Sequence, residues 1–184
     1  MTQSKIVREI EVLIATFTYL LRSRKVLPYQ FSVPSGKGIN YKADLERILE
    51  PYKKVGQKPI ISREGADIAA ISKTEWWQVE CKGTGSGKKQ TQRNNFDRAL
   101  ASVVSYYEDD PSDDRLGLPE EYKKAQPFLG LALPDSNEYL NELTRRVRKP
   151  LRQKLNLWIL LYESDTESIR PISPTDEYLV RSDG

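Results

Sequence analysis

Two short runs decide how this chain is read: Gly65-Ala66-Asp67-Ile68 and, a turn later, Trp76-Trp77-Gln78-Val79-Glu80-Cys81-Lys82. The segments Ala66 to Ile71 and Trp76 to Cys81 are short, apolar or aromatic, and bounded by Arg63-Glu64-Gly65 and Ser72-Lys73-Thr74-Glu75, as strands are. Side chains two apart in a strand face the same way, so Gln78, Glu80 and Lys82 share one face. Trp77, Val79 and Cys81 take the other, toward an apolar layer. If the strand carrying Asp67 pairs with this one, its carboxylate stands beside Glu80.

Working outward, Pro59-Ile60-Ile61-Ser62 reads as a third short strand, and the three together as consecutive antiparallel hairpins. Upstream, Ile6, Ile10, Ile14, Phe17 and Leu21 recur at helical spacing and predict a helix from about Ser4, its cap, to Arg24. Val26 to Val33 has extended character, and a shorter helix is expected over Tyr41 to Tyr52. Downstream, Phe96, Leu100, Val103, Val104 and Tyr107 mark a helix after the Gly83-to-Lys89 loop. Phe128 to Pro134 and Leu157 to Tyr162 are near-continuous apolar runs, as in strands buried on both faces. Tyr139 to Leu155 between them is helical in pattern although Pro150 should end or kink it, so strand, helix and strand predict a parallel crossover. The expected architecture is a single α/β (α+β) domain over residues 1–184, with a loose tail from about 173.

Composition narrows the chemistry. The 184 residues include one cysteine, Cys81, and no histidine, so disulfide frameworks, Cys/His zinc sites and imidazole-based catalysis are all excluded. A metal would have to sit on oxygen ligands, which favours hard divalent cations. The apolar run Val12 to Leu21 is too short to span a bilayer and reads as a core helix; no membrane association and a cytoplasmic location are expected. A net charge of +3 does not by itself imply nucleic acid.

Asp67 and Glu80 as paired carboxylates make a seat for a divalent cation, and Lys82 beside them can orient a nucleophile or a phosphoryl oxygen. The competing reading is an ordinary cross-strand charge pair. The pattern Asp67, then Glu80-Cys81-Lys82 on the next strand, resembles the PD-(D/E)XK nuclease superfamily, with Ala66 where proline is usual. The resemblance implies a restriction-endonuclease-like core, a central mixed β-sheet flanked by helices, and Mg2+ (or Mn2+) held by Asp67 and Glu80 for cleavage of DNA or RNA. It further implies an acid on the first helix, with Glu9 and Glu11 as candidates, and a glutamine after the lysine strand, with Gln90 or Gln92 as candidates.

Basic residues flank the cluster in two groups. Lys88, Lys89, Arg93 and Arg98 follow the glycine-rich loop, and Arg145, Arg146, Arg148, Lys149, Arg152 and Lys154 lie in one helical stretch. Contact with a nucleic-acid backbone is one reading of each, from Lys88 to Lys149; a mobile connector and a solvated helix face are the others. The loop is no Walker motif, since that pattern needs glycine where Lys82 stands and Ser or Thr where Lys89 stands. Asp109, Asp110, Asp113 and Asp114 lack the calcium-loop pattern and read as a solvated loop. One of the adjacent Trp76 and Trp77 is expected in the core; for the other, core packing is the first reading, and stacking on a base or covering the site are the alternatives. The function expected is a metal-dependent nuclease acting on DNA, with a homodimer compatible with double-strand cutting. The alternatives are a non-catalytic nucleic-acid- or protein-binding module of the same fold and an RNA-directed nuclease.

Overall fold

The computed structural model describes residues 6–32, 41–50, 59–62, 65–85, 88–107 and 120–178. Helix α1 (Glu9–Tyr19) runs into a π-helical turn at Leu20–Arg24, followed by strand β1 (Leu27–Ser32), helix α2 (Tyr41–Leu49) and strand β2 (Ile60–Ser62). Strands β3 (Ile68–Ile71) and β4 (Glu75–Cys81) lead to helix α3 (Lys89–Ser105). Strand β5 (Gln126–Pro134), helices α4 (Asn137–Arg146) and α5 (Lys149–Leu155), and strands β6 (Leu157–Glu163) and β7 (Ser168–Ile172) complete the order.

Among the described residues, seven strands join one mixed sheet in the order β2-β1-β3-β4-β5-β6-β7, flanked by helices, so the α/β class and the mixed sheet hold. Strands β3 and β4 form the expected antiparallel hairpin, and β4, β5 and β6 run parallel. The expectation of consecutive hairpins through β2 is corrected. β1 lies between β2 and β3, pairing in parallel with β2 and antiparallel with β3. The edge position accounts for the exposure of Ile60 and Ile61, apolar residues that on sequence alone suggest an inner strand.

One sheet face packs on α1, whose Ile10, Leu13 and Phe17 meet Trp77, Val79, Cys81, Ala132 and Leu160. The other packs on α3 and α4, where Phe96, Val103, Tyr139 and Leu143 cover Leu129, Leu131 and Leu133. The alternation read in Trp76 to Lys82 therefore has a physical basis, because β4 divides two cores. Trp77 and Trp76 are both buried, the first stacked on Phe128 at 5.0 Å and the second bonded through its indole N–H to the Tyr29 hydroxyl at 3.3 Å. Neither is free to stack on a base.

Helix α1 starts at Glu9, with Arg8 in extended geometry as its cap; Ser4 lies outside the described residues, as do Asp109 to Asp114. Pro150 is the second residue of α5, after a break at Val147 and Arg148, and in that first turn its missing N–H costs no hydrogen bond. The stretch expected to trail from about 173 is tied down as far as Tyr178. Buried Arg152 donates to the carbonyls of Ser173 (2.6 Å) and Asp176 (2.5 Å), and the Tyr178 hydroxyl donates to Val147 O at 2.6 Å. Among the described residues, no helix is long and apolar enough to cross a membrane.

Candidate active site

The last residues of β4 point alternately to the two faces of the sheet, Val79 and Cys81 to the α1 side and Glu80 to the other. Asp67 directly precedes β3 and so faces the last residues of β4 across the hairpin. Its Oδ2 accepts the Cys81 N–H at 2.8 Å, a donor that β3 is too short to satisfy. Glu80 points to the α3 side and is buried, with 6% of its surface exposed. Lys82 lies just past the strand, its N–H bonded to Ala132 O of β5 at 3.0 Å.

The Lys82 ammonium gathers the carboxylates. Its Nζ lies 2.9 Å from Glu80 Oε1, 3.4 Å from Glu9 Oε1 and 3.5 Å from Asp67 Oδ2, and it donates to Cys81 O at 2.8 Å. Sequence left Glu9 and Glu11 open; the geometry separates them. Glu11 caps its own helix, its Oε2 accepting the Arg8 N–H at 2.7 Å, while Glu9 turns to Lys82.

Glu9 reaches that far because the chain entering α1 is clamped to the loop after β4. Thr84 N donates to Val7 O at 2.9 Å, and the buried Thr84 hydroxyl accepts the Val7 N–H at 2.9 Å. Between them stands Gly83, where a Cβ would come within 2.5 Å of Val7 O and 2.6 Å of Glu9 N. Only glycine lets the two backbones approach so closely. The Tyr139 hydroxyl closes the arrangement by donating to Gly83 O at 2.7 Å.

The electrostatics are unbalanced. Three carboxylates facing one ammonium, all ionised, would carry two excess negative charges in a half-buried place. Burial pushes Asp67 up to about 7, helped by the charges of Glu80 and Glu9 and opposed by Lys82 and the Cys81 N–H. Burial likewise raises Glu9. For Lys82 burial works downward, but Asp67, Glu9 and Glu80 outweigh it and hold the amine above its ordinary value, a committed ammonium. Cys81 is fully buried and its thiol is pushed up, chiefly by burial, so it is inert. Among the described residues, no three His, Cys, Asp or Glu side chains are grouped so as to hold a metal ion, the ammonium lying among the carboxylates instead.

One contributor was missed in the sequence. Tyr106, at the end of α3, has its hydroxyl 3.0 Å from Glu80 Oε2. Gln90 is exposed and donates to Asn94 Oδ1 at 2.9 Å within its own helix, rather than joining the carboxylates. Gln92 is buried, and its Oε1 has no hydrogen-bond partner.

The basic residues divide by what already engages them. Lys88, Lys89, Arg93, Arg98, Arg145 and Arg148 are exposed, and Lys89, Arg93 and Arg145 line one groove between α3 and α4. Tyr139 lines that groove too and joins it to Gly83. Arg98 acts on Glu9 electrostatically. Arg146, by contrast, pairs with Asp97 and Glu142, and Lys149 pairs with Glu177 at 2.8 Å. Arg152 is inside the protein and closed to any ligand phosphate.

Comparison with family models, curated proteins and solved structures finds no match to this chain.

Proposed function

We propose that this chain is a metal-dependent nuclease with a restriction-endonuclease-like core, hydrolysing phosphodiester bonds in DNA. The carrying observation is the charge imbalance at the end of β4, where Glu9, Asp67 and Glu80 converge on the single ammonium of Lys82. The order α1, β1, β3, β4, α3, β5, with α2 and β2 inserted, supports the same reading.

What supports a hard divalent cation is the chemistry of the donors: they are all oxygen, and the three carboxylates outnumber the single ammonium they face. Asp67 and Glu80 would hold Mg2+ or Mn2+, with Glu9 as a third carboxylate beside them. The chemistry such an ion supplies is polarisation of a phosphoryl oxygen and a lowered pKa for water. Lys82, kept protonated by its neighbours, serves as a donor: it orients the attacking water and stabilises charge developing on the phosphoryl group. The exposed Lys88, Lys89, Arg93, Arg98, Arg145 and Arg148 hold the backbone of the substrate. Arg146 and Lys149 contribute less, being already paired. Action in the cytoplasm, and by two copies where both strands are cut, belongs to the same proposal.

A second reading has one observation in its favour. Lys82 already bridges the carboxylates, as in a buried ion cluster of a non-catalytic binding module. Incubating the purified chain with supercoiled and linear DNA in Mg2+ or Mn2+, beside Asp67→Ala and Lys82→Ala, separates the two. Cleavage by the wild type and none by either variant is expected. Identical behaviour of all three proteins refutes the nuclease, and a parallel RNA substrate identifies an RNA-directed enzyme.

A further inference from the structure

Tyr106 has no part in the chemistry above, yet it touches both halves of the cluster. Its phenolic oxygen lies 3.0 Å from Glu80 Oε2 and 3.2 Å from Gly65 O. Both partners are acceptors, and a phenol has one proton to offer. The carboxylate oxygen is nearer and the stronger acceptor, with the carbonyl sharing the same proton.

Two consequences follow for Glu80. The terminal torsion of a glutamate is broad, so a carboxylate held at one oxygen can swing. Here Oε1 is held by Lys82 at 2.9 Å and Oε2 by Tyr106, which fixes the plane of the group. The second donor is also uncharged. A lysine or arginine in its place would cancel the negative charge that a cation needs, whereas a phenol holds the carboxylate and leaves its charge intact.

The contact with Gly65 extends this control to Asp67. Gly65 has φ +85°, a left-handed value suited to glycine, and its carbonyl meets the Tyr106 hydroxyl two residues before Asp67. One hydroxyl therefore spans the turn that delivers Asp67 and the strand that delivers Glu80. Its ring meanwhile packs on the α3 side of the core, which anchors it independently of the carboxylates.

We propose that Tyr106 is a positioning residue for cation binding, orienting the Glu80 carboxylate and fixing its separation from Asp67. The proposal rests on the nuclease reading and assigns it a residue that never meets the reacting atoms. Residues that orient metal ligands typically change metal affinity by about 10–100-fold when removed.

The test is Tyr106→Phe in the full chain, which keeps the packed ring and deletes only the hydroxyl. Mn2+ binding is measured by isothermal titration calorimetry, and DNA cleavage is followed across a Mn2+ series. The expected result is Mn2+ affinity weakened about tenfold, with the Mn2+ dependence of cleavage displaced by the same factor. Saturating Mn2+ should restore kcat to within about threefold, with KM for DNA unchanged. Unaltered Mn2+ affinity in an active variant overturns the positioning role. So does a loss of activity that added Mn2+ leaves uncorrected, since that marks a general structural defect. A wild-type protein that neither binds Mn2+ nor cuts DNA overturns the nuclease reading itself, and the positioning role with it.

Discussion

At the start of β4, Glu75 meets Arg24 one to one; at its end, Lys82 meets Glu80, Glu9 and Asp67. The first cluster is complete. Arg24 forks onto both Glu75 oxygens, the Trp77 indole N–H donates to the same carboxylate at 2.8 Å, and the guanidinium lies 4.9 Å from the Trp158 ring centroid and 5.5 Å from that of Trp77. Every charge there has a counter-charge and an aromatic wall. The second cluster lacks that balance, and its cost appears in Asp67, held up to about 7 by burial and by its carboxylate neighbours. One strand thus carries an ion pair whose charges match and a cluster whose charges do not. The physical difference is charge stoichiometry, since both are largely buried.

Activity assays give the comparison its hardest test. Asp67→Ala or Lys82→Ala should lower the rate of Mg2+-dependent DNA cleavage by about 10²–10³-fold or more. Glu75→Gln, at the other end of the same strand, should leave kcat within about threefold. A comparable loss from both ends would show that the assay reports folding rather than chemistry.

Stability should show the reverse ranking. Arg24→Ala leaves Glu75 without its cation and strips the guanidinium from two tryptophan faces, a loss of about 2–3 kcal/mol in urea unfolding. Lys82→Ala should weaken the fold too, because three carboxylates then face one another, but adding Mn2+ should recover that loss. No metal should recover Arg24→Ala. Equal rescue of both variants by Mn2+ would remove the distinction drawn between the clusters.

Gly83→Ala tests how the second cluster is assembled. The added methyl would meet Val7 O at 2.5 Å, so the clamp between Thr84 and Val7 must open and carry Glu9 away from Lys82. A loss of about 1–3 kcal/mol is expected, together with weaker Mn2+ binding, both readable by thermal melting with and without the ion. Intact Mn2+ binding in a destabilised Gly83→Ala would separate Glu9 from the cation seat.

Much of this was legible in the sequence because a strand has a period of two. Glu80 and Lys82 could be put on one face, Trp77 and Val79 on the other, and Asp67 opposite, all from short-range order. Tyr106 was not legible: it meets Glu80 from 26 residues away and looks like one more aromatic on a helix. Glu9 and Glu11 could not be told apart by residue type alone; with Arg8 as cap, Glu11 takes the capping-box position and Glu9 turns to Lys82. Strand β7 escaped notice because Ser168-Ile169-Arg170-Pro171-Ile172 contains a proline, which an edge strand tolerates and an inner one does not. The basic stretch from Arg145 to Lys154 read as uniform because a charge pattern does not reveal which charges are spent internally, as Arg152 is.

The finest discrimination is a small effect of opposite sign. Asp67 is raised from the ordinary carboxylate range to about 7 in the folded protein, so the native state binds the extra proton between about pH 4 and pH 7. Its contribution to stability is therefore full below pH 4 and is lost as pH rises through 7. Asp67→Asn keeps an oxygen to accept the Cys81 N–H and removes the ionisation, so it lacks this slope. In EDTA at pH 8 the variant should be the more stable protein, by on the order of 1 kcal/mol, and the advantage should vanish below pH 4. Mn2+ should invert the order at pH 8, raising the melting temperature of the wild type and not of the variant. At pH 5.5 the same ion should stabilise the wild type much less, because it must displace a proton from Asp67. No such inversion is open to Glu75→Gln, whose partner Arg24 already supplies the matching charge. A substitution that strengthens the metal-free fold while removing its response to metal is the behaviour of a carboxylate held for a ligand, and an Asp67→Asn that is simply less stable at every pH would make this cluster the same kind of ion pair as the one at the start of β4.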